Sequence, residues 1–422
     1  MKILVVGSGG REHAIIWKIA QSKRVDKIYC APGNGGIASL AECVDINVMD
    51  KEKMVSFAKD NAIDLVFVAP DDPLVDGMVD AFEAAGIKAF GPRKNAAIIE
   101  GSKAFSKELM KKYNIPTAGY EVFTDSDSAI EYLEKGTFPA VIKADGLALG
   151  KGVIIAQNLD EAKQAVHEMI DDGKFGKSGS RVVIEEFLTG PEVSVLAFTD
   201  GKTVKPMVSA QDHKRAYDND EGLNTGGMGT FSPSRLYDDA KAKECMENIF
   251  LPTIRAMANE GRPFKGVLYF GLMMTKDGVK VIEYNCRFGD PETQVVLPRL
   301  KTDLVDIIEA VIDERLDELD IEWYDNAAVC VVEASGGYPV SYKKGFPITG
   351  LDAVANDDNI VVFHAGTAIK DGNLVTNGGR VLGVTAVMDN LDNAIKKAYE
   401  AVSKIHFEGE FHRSDIGIKK YN

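Results

Sequence analysis

The residues best suited to chemistry lie in one short stretch, Val281–Gln294 (VIEYNCRFGDPETQ). A β-strand directs alternate side chains to the same face, so Glu283, Asn285 and Arg287 should share one side of the strand predicted here. Carboxylate and amide oxygens are ligands that Mg²⁺ accepts together with phosphate oxygens and water, and a guanidinium group fits a phosphoryl group. The stretch therefore predicts a platform for a metal and a phosphate, whereas for any single pair of these residues an exposed polar strand face is the alternative.

A glycine-rich segment, Val141–Val153 (VIKADGLALGKGV), is the second candidate. Lys143 stands at the end of a predicted strand, and the glycines from Gly146 to Gly152 surround Lys151. A P-loop would require Ser or Thr where Val153 stands. The pattern predicts a flexible flap over a triphosphate, with a plain hairpin carrying a solvated lysine as the alternative.

Two further segments are candidates for ligand contact. In Val183–Ser194, a predicted strand runs into Phe187-Leu188, whose backbone could meet an adenine edge, and Glu192 follows at a distance that suits ribose hydroxyls. In Gln211–Gly229, three cationic or titratable residues, His213, Lys214 and Arg215, precede a Gly-rich turn. We predict a long irregular loop over 212–233, and such loops in compact domains are usually functional or disordered.

The N-terminus, MKILVVGSGGREHA, predicts a strand, a glycine loop and a helix, an arrangement that often binds phosphate at the helix N-terminus. A dinucleotide site would need a third glycine where Glu12 stands, and an acidic residue near the end of the second strand. That second position holds the glycine-rich stretch Pro32–Gly36 instead. A nicotinamide or flavin site is therefore disfavoured. The two loops predict a small phosphorylated ligand, unless the glycines serve only to make tight turns.

Strands and helices alternate over residues 1–92, which predicts a parallel sheet with helices on both faces. The predicted strands there are Lys2–Val6, Lys27–Ala31, Asp64–Ala69 and Lys88–Phe90, and the predicted helices include Glu52–Asn61 and Val75–Ala85. The middle of the chain mixes strands with the helices Leu159–Asp171 and Lys241–Glu260, and includes a strand at Thr203–Ala210. The tail from Ala327 is predicted to be rich in strands, with one late helix at Leu391–Ile405.

Bulk properties exclude several classes of protein. The 422 residues carry a formal net charge of -15, which disfavours a nucleic-acid-binding protein. We see no apolar run long enough for a membrane span, and no signal-peptide pattern. The five cysteines are widely spaced, which is typical of reduced thiols in the cytoplasm.

In this order along the chain, Lys143, the glycine flap, the Glu-Glu-Phe-Leu stretch, Glu192 and the Glu283/Asn285 pair resemble the ATP-grasp ligases. Within that group, the chain resembles the glycinamide ribonucleotide synthetase family over nearly its whole length. The segments that carry this resemblance are GSGGREHA, PGNGG, GSKAF, IKADGLALGKG, QDHKR, NTGGMG, NCRFGDPETQ and TNGGR.

The resemblance implies a multidomain α/β fold: an N-terminal parallel-sheet domain (1–102) that binds phosphoribosylamine, an ATP-grasp region (103–326) with a lid at about 122–192, and a strand-rich C-terminal α/β domain (327–422). It also implies an ATP-dependent ligase of purine biosynthesis that joins glycine to 5-phospho-β-D-ribosylamine through glycyl phosphate, with Mg²⁺ or Mn²⁺. We expect a cytoplasmic monomer. Another purine-pathway ATP-grasp ligase acting on a different ribonucleotide is the alternative.

The implied roles fall into four groups. The catalytic residues are expected to be Lys143, Asp212, Arg287 and Asp290, and the metal ligands Glu283 and Asn285. The expected ATP-binding residues are Lys103, Lys143, Gly150, Lys151, Glu185, Glu186, Phe187, Leu188, Glu192 and Lys214. The expected substrate-binding residues are Gly9, Gly10, Gly33, Asn34, Gly35, Asp212, Asp290, Pro291 and Glu292.

Two departures from the family pattern affect these assignments. Asp71 stands where the family has Glu, so the role of its shorter carboxylate in the substrate pocket stays open. The strand before the metal platform, from Gly266 to Leu272, has no carboxylate, although other ATP-grasp enzymes commonly place one there. We therefore expect the protein to supply few metal ligands.

Overall fold

Five parallel strands in the order β3-β2-β1-β4-β5 form the N-terminal sheet. The computed structural model describes residues 1–147, 152–173 and 176–418. The N-terminal elements are β1 (Lys2–Gly7), α1 (Gly10–Ile19), β2 (Lys27–Pro32), β3 (Glu42–Cys43), α2 (Lys51–Asp60), β4 (Leu65–Val68), α3 (Asp71–Asp76), α4 (Met78–Ala84), β5 (Lys88–Phe90) and α5 (Lys94–Gly101). As expected for parallel strands, the loops that follow β1, β2 and β4 meet at one edge of the sheet.

A small antiparallel sheet in the order β6-β9-β7-β8 forms a lid with two helices on one face. Its elements follow α6 (Lys103–Lys112) and are β6 (Tyr120–Phe123), α7 (Ser126–Glu134), β7 (Ala140–Ala144), β8 (Val153–Ala156), α8 (Leu159–Ile170) and β9 (Val182–Glu186). The apolar side chains of the lid form a hydrophobic cluster of their own. Because a separate core does not depend on packing against the rest of the chain, the lid is built as a distinct unit.

A second antiparallel sheet, in the order β11-β10-β16-β17, lies on the other side of the candidate site. It comprises β10 (Glu192–Asp200), β11 (Val204–Pro206), β16 (Lys265–Thr275) and β17 (Gly278–Asn285), and the helical elements of this region are α9 (Asp239–Cys245), α10 (Leu251–Asn259), α11 (Thr293–Val296) and α12 (Leu304–Ile312). Two hydrophobic clusters join this sheet to the N-terminal sheet. The two sheets therefore share their cores.

The C-terminal sheet has the order β12-β15-β18-β22-β19, with β23 paired to β18. Its strands are β12 (Gln211–Asp212), β15 (Gly229–Ser232), β18 (Ala327–Ser335), β19 (Ile360–His364), β22 (Arg380–Met388) and β23 (Glu410–Phe411). Two hairpins, β13 (Arg215–Tyr217) with β14 (Glu221–Asn224) and β20 (Thr367–Lys370) with β21 (Asn373–Thr376), and helix α13 (Leu391–Val402) complete the region.

The structure confirms the predicted multidomain α/β class and corrects three local predictions. The predicted loop over 212–233 contains β13, β14 and β15, and β15 pairs with β18. The predicted helix Val75–Ala85 is interrupted at Gly77, whose φ of +93° ends α3. The predicted strand Thr203–Ala210 ends at Pro206. None of the helices in the described part of the chain combines the length and the apolar character needed to cross a bilayer.

Candidate active site

Lys143 connects the lid to the opposite sheet. Its Nζ lies 2.8 Å from Oε1 of Glu185 and donates a hydrogen bond of 3.3 Å to the carbonyl oxygen of Ile282 on β17. The other carboxylate oxygen of Glu185 lies 2.9 Å from Nζ of Lys107. Both lysines and the glutamate are buried, so one carboxylate holds two ammonium groups on the face of the lid that turns toward β17.

Lys103 anchors the start of the glycine flap. It is the first residue of α6, whose N-terminus is capped by Ser102 through a 3.1 Å bond from the N–H of Phe105. The Nζ of Lys103 donates to the carbonyl oxygen of Gly146 at 2.7 Å, and burial lowers the pKa of this lysine against the opposing effect of Glu283. Gly150 and Lys151 lie outside the described residues, so the flap is seen only at its two ends.

Around the end of β17, the predicted alternation holds from Glu283 onward, but a β-bulge at Ile282 breaks it, so that Val281 joins Tyr284 in the core and Ile282 does not. Tyr284 and Cys286 belong to the hydrophobic core, while Glu283 and Arg287 face charged groups on the other side. Although burial opposes its charge, Lys214, Lys143 and Lys103 lower the pKa of the Glu283 carboxyl group. Glu283 is therefore an ionised carboxylate with three lysines around it, and these lysines are cations that can meet a polyphosphate.

Lys214 is held by carboxylates from two strands. Its Nζ lies 3.0 Å from Oε2 of Glu192 and 3.7 Å from Oε1 of Glu283. Burial disfavours its charge, but Glu192, Glu283 and Asp212 together hold the pKa of Lys214 well above its usual value. Burial raises the pKa of the neighbouring Asp212 to about 8, with Lys214 opposing the shift. The strand β17 and the 212–214 segment thus form one charged cluster.

The two metal ligands expected from the sequence, Glu283 and Asn285, both lie on β17. Glu283 lies opposite Gly271 on β16, and Asn285 lies opposite Tyr269. In the described part of the chain, no group of three or more His, Cys, Asp or Glu residues is arranged to hold a metal ion. An ionised carboxylate and an amide two residues apart fit an ion that takes its other ligands from phosphates and water.

In the Glu-Glu-Phe-Leu stretch, residues 185–188, not every side chain faces the proposed nucleotide site. The Glu186 carboxylate points to Lys280 at 3.3 Å, and its N–H donates to the carbonyl oxygen of Gly119 at 2.9 Å. Phe187 is exposed, and Leu188 follows it without regular structure. Among the expected nucleotide-binding residues over 185–192, only Glu185 and Glu192 therefore bring carboxylates to the charged cluster.

Arg287 lies away from the lid lysines and beside the N-terminal domain. Its Nη2 lies 3.0 Å from Oε1 of Glu100 and 3.8 Å from Oδ2 of Asp71. Although burial opposes the charge, Glu100 and Asp71 raise the pKa of Arg287. Arg287 and Arg11 in turn lower the pKa of the Asp71 carboxyl group despite its burial. The shorter Asp71 therefore still faces the site and carries a charge.

Asp290 is contacted from three parts of the chain. Its Oδ1 accepts a hydrogen bond of 2.8 Å from Gln294 and lies 3.4 Å from Nη1 of Arg380, and its Oδ2 accepts from the N–H of Arg11 at 3.4 Å. Despite burial, Arg380 and Arg11 lower the pKa of Asp290. The carboxylate is thus ionised at the junction of all three regions.

The residues after Asp290 are packed tightly. Pro291 lies against Gly227, where an added Cβ would come within 2.5 Å of the proline Cδ. Glu292 is buried and accepts a 3.1 Å hydrogen bond from Ser194, whose hydroxyl is 2.9 Å from that of Tyr269. The Glu292 carboxylate is therefore built into the sheet through β10 and β16.

In the N-terminal glycine loops, three backbone N–H groups donate hydrogen bonds to other groups of the protein. The N–H of Gly9 donates to the Glu12 carboxylate, that of Gly33 to Gly7 at 3.1 Å, and that of Gly35 to Thr367 at 3.2 Å. These three N–H groups therefore already have hydrogen-bond acceptors within the protein.

Asn34 is similarly engaged. Its amide nitrogen donates to the carbonyl oxygens of Ser8 and His364, both at 2.8 Å, and its amide oxygen accepts from the N–H groups of Gly36 and Ile37, both at 2.9 Å. The Asn34 side chain therefore ties the two loops to the C-terminal region. Gly10 instead provides space, because an added Cβ would come within 2.6 Å of Gln294 Nε2.

Four residues that were not predicted from the sequence contribute to these clusters in the structure: Arg11, Glu100, Lys107 and Arg380. Lys107 could have been found from its position one helical turn after Lys103, and it is buried with its pKa lowered to about 8. Arg380 ends the quoted stretch TNGGR, but nothing in the local pattern indicates a contact with Asp290. No local sequence pattern around Glu100 indicates its contact with Arg287.

A separate lid that carries Lys143 and Glu185, together with a facing antiparallel sheet that carries Glu283, is the arrangement of an ATP-grasp protein. A model of the phosphoribosylglycinamide synthetase ATP-grasp (A) domain matches residues 101–293. The models of the N domain and the C domain match residues 1–100 and 328–419. The chain belongs to the phosphoribosylglycinamide synthetase family.

Relatives match over the whole length. Phosphoribosylamine–glycine ligase from Halalkalibacterium halodurans is 53% identical over 419 residues, which cover 99% of this chain and 97% of that one. The Caldanaerobacter subterraneus protein of the same name is 52% identical over 416 residues, 99% of each chain.

Solved structures show the same fold. Phosphoribosylamine–glycine ligase from Thermotoga maritima superposes with a TM-score of 0.87 and 35% identity, covering 99% of this chain and 100% of that chain. Biotin carboxylase from Campylobacter jejuni superposes with a TM-score of 0.74 and 14% identity, covering 97% of this chain and 92% of that chain. At this identity the second likeness concerns the fold alone.

Proposed function

We propose that this chain is a phosphoribosylamine–glycine ligase of purine biosynthesis. ATP, glycine and 5-phospho-β-D-ribosylamine would give ADP, phosphate and glycinamide ribonucleotide. The observation that carries the proposal is the position of Lys143, which reaches from the lid to the carbonyl oxygen of Ile282, next to the ionised Glu283. The family and the full-length relatives support the same activity.

The reaction needs activation of a carboxylate, because glycine has no leaving group to offer an amine. Transfer of the γ-phosphoryl group to a carboxylate oxygen of glycine forms glycyl phosphate and ADP. The ribosylamine nitrogen then attacks the carbonyl carbon, the C–O bond to phosphate breaks, and the amine gives up one proton. Lys143, Lys103 and Lys214 are proposed to stabilise negative charge on the phosphates, a role that a preorganised cation can fill without reorganisation.

A divalent ion, Mg²⁺ or Mn²⁺, would be held by Glu283 and Asn285, where it would neutralise charge on the phosphates. Glu192 is proposed to meet the ribose hydroxyls of the nucleotide, and the backbone of Glu186, Phe187 and Leu188 to border the adenine. The lid and flap, with Gly150 and Lys151, would exclude water from the hydrolysable acyl phosphate.

The amine and acid substrates are proposed to bind between the N-terminal loops and the 290–292 segment. Asp212 and Asp290 would hold ammonium or amine groups, and Pro291 and Glu292 would shape the wall of the pocket. Arg287 lies at this end of the site and would meet the phosphoryl group or the glycine carboxylate. The glycines Gly9, Gly10, Gly33 and Gly35, together with Asn34, would act mainly by shape, since several of their polar groups already bond within the protein.

We also propose that the protein works in the cytoplasm as a monomer. Its five cysteines are free thiols, four of them buried, which suits a reducing compartment. Gel filtration with light scattering would measure the mass directly, and a dimer mass would contradict the proposed monomer.

An assay of ADP formation tests the activity. We expect ADP to appear only when both glycine and phosphoribosylamine are present, together with one glycinamide ribonucleotide per ADP. ADP formation that does not need glycine would contradict the proposal. Replacing glycine or phosphoribosylamine with other acids and ribonucleotides would reveal another purine-pathway ligase.

A further inference from the structure

Arg380 brings the C-terminal sheet into contact with the proposed substrate pocket. It is the first residue of β22 and follows Asn377-Gly378-Gly379. Its carbonyl oxygen accepts from the N–H of Gly366 at 2.9 Å. The backbone of Arg380 is therefore fixed within the C-terminal region while its side chain extends away from it.

The guanidinium group of Arg380 reaches a turn and a carboxylate at the same time. Its Nη1 lies 2.8 Å from the carbonyl oxygen of Gly226, 3.3 Å from that of Gly227 and 2.8 Å from that of Asp290. The same nitrogen lies 3.4 Å from the Asp290 carboxylate. An added Cβ on Gly226 would come within 2.9 Å of the guanidinium carbon, so a larger residue there would displace the guanidinium group from its present position.

The turn that Arg380 holds also supports the backbone of Lys214. Thr225 donates to the carbonyl oxygen of Lys214 through its N–H at 2.7 Å and through its hydroxyl at 2.8 Å. The N–H of Gly227 donates to the Thr225 hydroxyl at 3.0 Å. The N–H of Gly226 donates to the hydroxyl of Tyr338, another residue of the C-terminal region, at 3.1 Å.

We propose that Arg380 is a positioning residue for substrate binding, through which the C-terminal region orients Asp290 and the Gly226-Gly227 turn. This inference rests on the proposed ligase function and adds to it a role for the C-terminal region. Arg380 acts mainly on the acid and amine substrates, because it contacts Asp290 directly, whereas it reaches the proposed ATP site only indirectly, through the turn that supports the backbone of Lys214. The lid residues Lys143 and Glu185 have other partners.

The test compares Arg380→Met, Arg380→Lys and Arg235→Met in the full-length protein by steady-state kinetics with each substrate varied. Arg235 is the matched control, because it also joins the C-terminal region, to Asp392 at 3.0 Å and to the carbonyl oxygen of Gly417 at 2.7 Å, but not at the site. For Arg380→Met we expect the KM for phosphoribosylamine to rise about tenfold or more while the KM for ATP stays within about twofold.

The conservative variant separates positioning from general support of the fold. We expect Arg380→Lys to recover part of the KM for phosphoribosylamine, since it keeps the charge but loses the planar fork. Arg235→Met should keep all three KM values. Equal rises in all three KM values, or an unchanged KM for phosphoribosylamine in both Arg380 variants, would overturn the proposal. If Arg380→Met does not fold, Arg380→Lys still decides between these outcomes.

Failure of the proposed function would be seen separately. It would appear in the unmodified protein as no ADP formation dependent on both glycine and phosphoribosylamine. Failure of the positioning role would appear only in the Arg380 variants, against a wild-type enzyme that is active.

Discussion

The Nζ of Lys143 lies 2.8 Å from Oε1 of Glu185, on the neighbouring strand of the lid, and Lys107 approaches the other oxygen of the same carboxylate at 2.9 Å. The single buried carboxylate of Glu185 thus contacts both Lys143, which is proposed to contact ATP, and Lys107. This arrangement makes Glu185 a group that orients Lys143.

Replacing Glu185 with Gln should therefore affect both stability and ATP use. Removing one partner of a buried ion pair commonly costs about 3–5 kcal/mol, so we expect a lower Tm and a KM for ATP raised about tenfold. Calorimetry and steady-state kinetics would measure the two effects. Glu131→Gln is the control, because this residue of the lid forms an exposed pair with Lys135, and it should change neither quantity appreciably. Equal effects in both variants would count against the assigned role of Glu185.

Replacing Glu283 with Gln should lower kcat much more than it weakens glycine binding. The ionised carboxylate of Glu283 is the proposed metal ligand, and loss of a group that stabilises charge in the transition state commonly costs about 100-fold or more in kcat. The measurement is kcat across a range of Mg²⁺ concentrations. Asp277→Asn, in the exposed turn just before β17, should keep wild-type kcat. Full turnover of Glu283→Gln at saturating Mg²⁺ would contradict the metal assignment.

Replacing Gly9 with Val should raise the KM for phosphoribosylamine and leave the KM for ATP nearly unchanged. A Cβ at this position would lie 2.7 Å from the Glu12 carboxylate and 3.4 Å from that of Asp290, so the added bulk displaces groups of the proposed substrate pocket. Gly136→Ala, where the nearest atom to an added Cβ is 3.4 Å away, serves as the control. A change in the KM for ATP alone would mean that the N-terminal loops bind the phosphates of ATP and not the phosphate of phosphoribosylamine.

Acid should weaken the contact between the N-terminal and C-terminal regions through two buried histidines. His13 accepts a 2.8 Å hydrogen bond from the N–H of His364. Burial, with the neighbouring His364, lowers the pKa of His13 to about 3, and burial lowers that of His364 to about 4. Both are neutral in the folded protein but take up protons below pH 6.5 once unfolded, so stability is present above that pH and is lost as the pH falls toward 3.

Each of these histidines should then contribute about 2 kcal/mol to the loss of unfolding free energy between pH 7 and pH 5. Urea unfolding at several pH values would measure the dependence. His13→Asn keeps a hydrogen-bond acceptor for the N–H of His364 but cannot titrate, so its pH dependence should be clearly shallower. A dependence as steep as that of the wild-type protein would show that His13 does not contribute.

Much of the fold and part of the site could be predicted from the sequence. The parallel N-terminal sheet followed from the alternation of strands and helices, and the core positions of Tyr284, in β17, and Cys286, just after it, followed from a two-residue period. The predicted loop over 212–233 was wrong because its strands are short and one of them, β15, pairs with the two-residue strand β12 and with β18, which lies about a hundred residues further along the chain. Local patterns do not contain that partner.

The sequence alone determined where charges and glycines stand along the chain, and local periodicity then indicated which of them share a strand face, as with Glu283 and Asn285 on β17. Only the tertiary structure decided how those groups are used. The Asn34 amide forms hydrogen bonds with Ser8, with His364 and within its own loop. Arg380 contacts Asp290, which lies ninety residues earlier in the chain. These contacts depend on how separate sheets pack together, because hydrogen bonds and ion pairs form between atoms close in space, whatever their distance along the chain.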